Sequence, residues 1–124
     1  MKTRGELEAE ICRTIIQFEK EYMGRGPVET KSFLLEDMLV VRLKGVLTPA
    51  EIKLAASQER GRYLLKQVRQ QLLDFGRPLL ESAVEEILGV PVQSIHTDIS
   101  TKTGERVIVF TLARKPEFRD SSGR

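Results

Sequence analysis

Apolar positions recur along this chain at two periods, near 3.6 and near 2, and the changes of period divide it into elements. Leu7, Ile11, Ile15, Phe18 and Tyr22 stand four, four, three and four residues apart, while Glu8, Arg13, Gln17, Lys20 and Glu21 take the other side. That spacing predicts an amphipathic helix over 6–22. Gly24-Arg25-Gly26-Pro27 stops it, because glycine accepts a left-handed cap and proline cannot continue a helix. Two strands are predicted next, over 28–35 and 38–44, with Glu36-Asp37 as the tight turn of a hairpin. The longest pattern opens at Leu47-Thr48-Pro49-Ala50-Glu51, which supplies a capping threonine, a proline at the first helical position and a glutamate able to close a capping box. A broad, drifting apolar stripe follows, through Ile52, Ala55, Leu65, Val68, Leu72 and Phe75, and out to Leu88. The polar patch Ser57-Gln58-Glu59-Arg60-Gly61 is a candidate break between two helices, and Pro78 is expected to kink the pattern or interrupt it again. Strands over 90–100 and 106–114, joined by a loop holding Gly104, complete the chain.

The expected architecture is α+β: a two-layer sandwich with a four-stranded, mainly antiparallel sheet, helices on one face, and element order α-β-β-α-α-β-β. Tyr22-Met23-Gly24-Arg25-Gly26-Pro27-Val28 resembles Ile87-Leu88-Gly89-Val90-Pro91-Val92, so the chain reads as two helix-hairpin units, an internal duplication, with the capped helix lying across both. Chance similarity around glycine and proline is the competing account. The uncovered sheet face is expected to hold Thr30, Ser32, Arg42, Ser94, His96 and Asp98, mixed with Val28, Val40 and Val92.

At 124 residues the chain is expected to be one domain, 1–124, with a frayed tail over 115–124. A hydrophobic fraction of 40% and a charged fraction of 31% belong to the globular range. No apolar run approaches the roughly 20 residues that span a bilayer, so no membrane insertion and a cytoplasmic location are expected. The formal net charge of +2 is too small to argue for nucleic acid. With a single cysteine, Cys12, no cysteine-cluster metal site can form, and neither a metal nor a cofactor is expected.

The motifs Gly24-Arg25-Gly26-Pro27, Leu39-Val40-Val41-Arg42-Leu43, Leu47-Thr48-Pro49-Ala50-Glu51 and the Asp98-to-Leu112 hairpin with its Thr-Gly-Glu turn resemble, in order and spacing, the YbcI-like family of short bacterial proteins, a domain of unknown function. The resemblance covers nearly the whole chain. It implies a stand-alone bacterial domain and brings no catalytic residue with it.

Candidate chemistry is sparse. His96 and Asp98, two apart on a strand, project from one face, as acid-base work would require, but no nucleophile or second histidine accompanies them. A partly exposed sheet histidine is the plainer account. Arg25 follows a helix C-terminus, the wrong end for a phosphate loop, and stands as a candidate for binding an acidic group, while Arg42 joins His96 and Asp98 as a candidate on the ligand-binding sheet face. Arg62, Lys66 and Arg69, spaced four and three apart, predict a basic ridge on the middle helix, suited to phosphates or to an acidic protein surface; a solvated helix face is the simpler account. No aromatic base-stacking or zinc signature supports nucleic acid. The reading favoured is a non-enzymatic interaction or regulatory module acting as a homodimer. A small-ligand or hydrolytic site around His96 and Asp98 is the alternative, and nucleic-acid binding through the ridge a weaker one.

Overall fold

Threonine capping boxes open two of the helices. Thr3 and Thr48 each accept the N–H of the glutamate three residues on (Glu6 and Glu51, both 3.2 Å), and each glutamate carboxylate accepts the threonine N–H in return, at 2.9 and 2.8 Å. The structure, a computed structural model, describes residues 1–120. It consists of α1 (Arg4–Met23), β1 (Glu29–Leu35), β2 (Met38–Lys44), α2 (Pro49–Ser57), α3 (Glu59–Leu88), β3 (Val92–Ile99) and β4 (Arg106–Leu112). Gly24 and Gly89 end α1 and α3 in left-handed conformation, with φ of 89° and 72°.

The four strands form one antiparallel sheet in the order β1-β2-β4-β3. The two hairpins meet through β2 and β4, while α1 packs on β1 and α3 on β3. The expected α+β sandwich is therefore observed, and its two helix-hairpin units are arranged symmetrically about the β2/β4 seam. Leu39, Val41 and Leu43 from β2 and Ile108, Phe110 and Leu112 from β4 form the buried centre beneath the helices. The helices α1 and α3 run antiparallel: the Phe18 ring faces Gly76, and Leu7 borders the same cavity as Ala83 and Ile87.

Several expectations are corrected. The long helix does not lie across both units; it is the second unit's own helix, and α2 packs against its N-terminal end. The helical break falls where the polar patch places it, at Gln58, whose extended backbone (φ −168°) separates α2 from α3. Pro78 lies inside a continuous α3. Pro78 is exposed, so the carbonyl deprived of its helical N–H faces water, which lowers the cost of the missing bond. Thr30 and Ser32 point toward the helices, not away: they pair with the buried Leu43 and Val41, and the Ser32 hydroxyl donates to the Glu8 carbonyl at 2.6 Å. Val92 also turns inward, because a bulge between Val92 and Ser94 reverses the alternation that carries His96 outward. After β4 the chain returns to the N-terminus instead of fraying at once. Pro116 is buried, Phe118 packs on the core, and the Arg119 N–H donates to the Lys2 carbonyl at 2.8 Å. Residues 121–124, the rest of the predicted tail, lie outside the described residues.

Gly61 shows why α2 and α3 can meet so closely. A Cβ there would stand 2.2 Å from the Leu54 carbonyl oxygen, which is backbone and cannot swing away. We expect Gly61→Ala to destabilise the fold by about 2 kcal/mol through this collision, although alanine is intrinsically the better helix former by about 1 kcal/mol. Gly5→Ala, where a Cβ meets nothing within 4 Å, should be neutral or stabilising. Urea denaturation of the two variants checks the contrast.

Candidate interaction surface

Helix α3 presents two distinct apolar faces. The first is buried and recurs every three or four residues, through Gly61, Leu65, Arg69, Leu73, Gly76 and Leu80, then Val84 and Leu88. Two of its members are glycines set where a neighbouring element comes close: Leu54 at Gly61 and the Phe18 ring at Gly76. Another is an arginine. Arg69 is only 2% exposed and donates to both oxygens of Glu51, at 2.6 and 3.0 Å, and to the Val46 carbonyl at 2.9 Å. It thereby ties α3 to the start of α2 and to the chain leaving β2.

This placement dismantles the predicted basic ridge. Arg69 lies in the interior. Lys66 pairs with Asp98 at 3.0 Å, and an Arg62 Nη1–H donates to the Ala55 carbonyl at 3.3 Å. Lys66 and Asp98, sequence candidates of different sites, are thus brought together at the rim of a cleft of about 400 Å³ lined also by Tyr63, Gln67 and Arg106. The Lys66 hydrogen bond, the Ile99 N–H and the Lys66 charge hold the Asp98 carboxyl below its ordinary range.

The remaining predicted site residues are dispersed over the uncovered sheet face or its surroundings. His96 faces outward and shares a hydrogen bond of 3.2 Å with Ser94, whose hydroxyl also meets Thr111. Asp98 is engaged by Lys66, so the two do not form an acid-base pair. Arg42 is joined to the Glu105 carboxylate. It shares a cross-strand row with Asp98, but Val107 on β4 stands between them, leaving two strand spacings, about 10 Å, between their backbones. Arg25 lies in the loop between α1 and β1.

The second face of α3 is the feature the sequence pattern hid. Leu64, Val68, Leu72, Phe75 and Leu79 form a continuous outer row, from 36% exposed at Leu72 to 80% at Phe75. Their spacing of four, four, three and four is that of a packed helix seam. In the sequence these residues merge with the buried row into one broad stripe, because the two rows run side by side along the helix. They separate only once Arg69, Gly61 and Gly76 are known to face inward. Together the five present on the order of 500 Å² of mostly apolar surface, high in the range of about 300–600 Å² for the largest patch on a monomer. At about 25 cal/mol per Å² its removal from water is worth about 12 kcal/mol before the costs of association.

A family model described as "Na+-translocating membrane potential-generating system (MpsC)" matches residues 3–114. The chain belongs to the MpsC family. Two relatives come from Bacillus subtilis (strain 168). Uncharacterized protein YbcI is 46% identical over 116 residues, covering 94% of this chain and 93% of YbcI. Uncharacterized protein YrhF is 29% identical over 102 residues, covering 82% and 83%. The YbcI-like resemblance read from the motifs is thereby shown. No solved structure matches the chain. Among the described residues of this MpsC-family chain, no helix is long and apolar enough to cross a membrane.

Sequence reasoning also missed a buried charged cluster. Glu19 on α1 and Arg106 on β4, 1% and 2% exposed, share the interior with Arg69. Burial raises the Glu19 pKa above its ordinary value, opposed by the charges of Arg106 and Arg69. Burial likewise lowers that of Arg106, opposed by Glu19. The signal available was Glu19's place in the apolar register, four residues beyond Ile15. Glu51 shifts the other way: desolvation pushes its pKa up, but the Arg69 hydrogen bonds and charge and the Thr48 N–H and hydroxyl outweigh it.

The two glutamates therefore give stability opposite slopes with pH. Glu51, with its folded pKa lowered, contributes stability that is present above its unfolded value near 4.5 and lost as pH falls through the folded pKa. Glu19, with its folded pKa raised, contributes stability present below about 4.5 and lost as pH rises through the folded value. Glu51→Gln keeps a residue able to close the capping box while removing the charge opposite Arg69. It should cost about 3 kcal/mol at pH 7 and flatten the acid limb. Glu19→Gln should remove the decline above pH 4.5. Chemical denaturation across a pH series measures both slopes.

Proposed function

We propose that this chain is a non-enzymatic interaction module acting as a homodimer, and that it serves a Na+-translocating, membrane-potential-generating system of the kind the family description names, as a docking or regulatory component rather than as the ion path. The observation that carries this reading is the exposed apolar row on α3. Five large side chains held in water on one rigid helix are what a subunit interface uses. The principal apolar faces of α1 and α3 are already spent on the sheet. The dispersal of Arg42, His96 and Asp98, each engaged with a different neighbour, favours docking over hydrolysis.

Light scattering coupled to size exclusion tests the assembly. The expected mass is twice the 14.1 kDa of one chain, and a clean monomer at micromolar concentration overturns the homodimer. The system is tested in Bacillus subtilis lacking YbcI and YrhF. Membrane potential in Na+-containing medium should fall and be restored by this chain; an unchanged potential overturns that assignment.

A further inference from the structure

We propose that two copies of this chain pair through α3, antiparallel, with Leu72 beside the two-fold axis. The proposal rests on the homodimer reading above and says where and in which direction the contact is made.

The spacing of the exposed row fits an antiparallel partner of identical sequence. With the axis at Leu72, Leu64 of one copy lies opposite Leu79 of the other, Val68 lies opposite Phe75, and Leu72 meets its own counterpart. The largest side chain of the row therefore faces the smallest, which is the size alternation that packed helix pairs require. From Leu64 to Leu79 the row extends about 22 Å along a single unbroken helix, so it meets its partner as a rigid ridge.

The area is also adequate. Homodimer interfaces are about 65% apolar, so covering on the order of 500 Å² of apolar surface means burying roughly 750 Å² on each copy, against about 800 Å² per partner in a standard interface.

Charge selects the direction. The row continues to the exposed Arg60, four residues before Leu64, and to the exposed Glu86, seven residues after Leu79. Antiparallel pairing brings Arg60 of each copy toward Glu86 of the other, whereas parallel pairing sets like beside like.

Access is open over the N-terminal part of the row, at Leu64 and Val68. α1 runs antiparallel to α3 and ends at Met23, close to the Tyr22 ring, which lies 6.4 Å from Phe75. The N-terminal third of α3 extends past that end.

Single cysteines in a Cys12→Ser background read the geometry directly, using a short bismaleimide cross-linker. Leu72→Cys should yield mostly covalent dimer. Mixed Leu64→Cys and Leu79→Cys copies should cross-link to each other in preference to themselves. Phe75→Lys, at an exposed position and with its melting temperature measured alongside, should weaken self-association ~10-fold or more. Preferred 64–64 and 79–79 products overturn the antiparallel arrangement. A dimer that cross-links at Leu35→Cys on the sheet face and not at Leu72→Cys overturns the α3 interface and leaves the homodimer reading intact. A monomer at every concentration overturns both.

Discussion

Arg69 fixes the rotation of α3 about its own axis. A buried guanidinium is costly unless its charge is met, and Glu51 with the Val46 carbonyl meets the charge and engages Nε and Nη2 at one azimuth of the helix, while Nη1 finds no partner among the described residues. Turning α3 by one residue, about 100°, would strand the charge and carry Gly61 and Gly76 away from the elements that need their missing side chains. With that azimuth set, Leu65, Leu73 and Leu80 must face the sheet, and Leu64, Val68, Leu72, Phe75 and Leu79 must face outward. The exposed row follows from the inward arginine and is not a failure of the core to close.

The interior beside Arg69 is unusually charged for a layer between helices and a sheet. Glu19, Arg69 and Arg106 reach it from α1, α3 and β4, one from each of the three elements whose packing defines the sandwich. Burial works against ionisation of Glu19 and Arg106, and their opposite charges work for it. Such a cluster contributes less to stability than apolar residues of the same volume would, and its demands for pairing narrow the arrangements the chain can adopt.

What could be read from the sequence was whatever is settled within a few residues. The Thr48-Pro49-Glu51 helix start, the Glu36-Asp37 turn and the strong β pattern at 39–43 are local, and the structure holds them where the pattern sets them. The break between the middle helices was legible as the polar patch 57–61, within which the chain turns at Gln58 while Gly61 serves a close approach to Leu54. Thr30, Ser32 and Val92 went to the wrong face. For the two β1 residues the phase is set by contacts with α1, 18 residues away for Thr30 and 24 for Ser32, and for Val92 by a bulge that exists only against β4. The ridge failed at Arg69 for a comparable reason. Arginine at 69 fits both the charged series 62-66-69 and the buried series 65-69-73, and only the partner supplied by Glu51 decides between them.

The two uncovered surfaces differ in what they demand. On the sheet's outer face Val40, Val107 and Val109 are half-buried by their neighbours and Arg42 with Glu105 and His96 with Ser94 pair locally, while Phe33 and Leu35 on the edge strand remain exposed, at 44% and 54%. Antiparallel sheets tolerate such a face in water. The α3 row has less relief, because Phe75 and Leu79 stay 80% and 61% exposed even with the Tyr22 ring 6.4 Å from Phe75. Removal of apolar area from water drives association, so the helix row has more to gain from a partner than the sheet face does. The helices cover one side of the sheet only, so a pair formed on α3 would leave both sheet faces turned outward. Each copy would then offer other components a surface that the pairing does not consume.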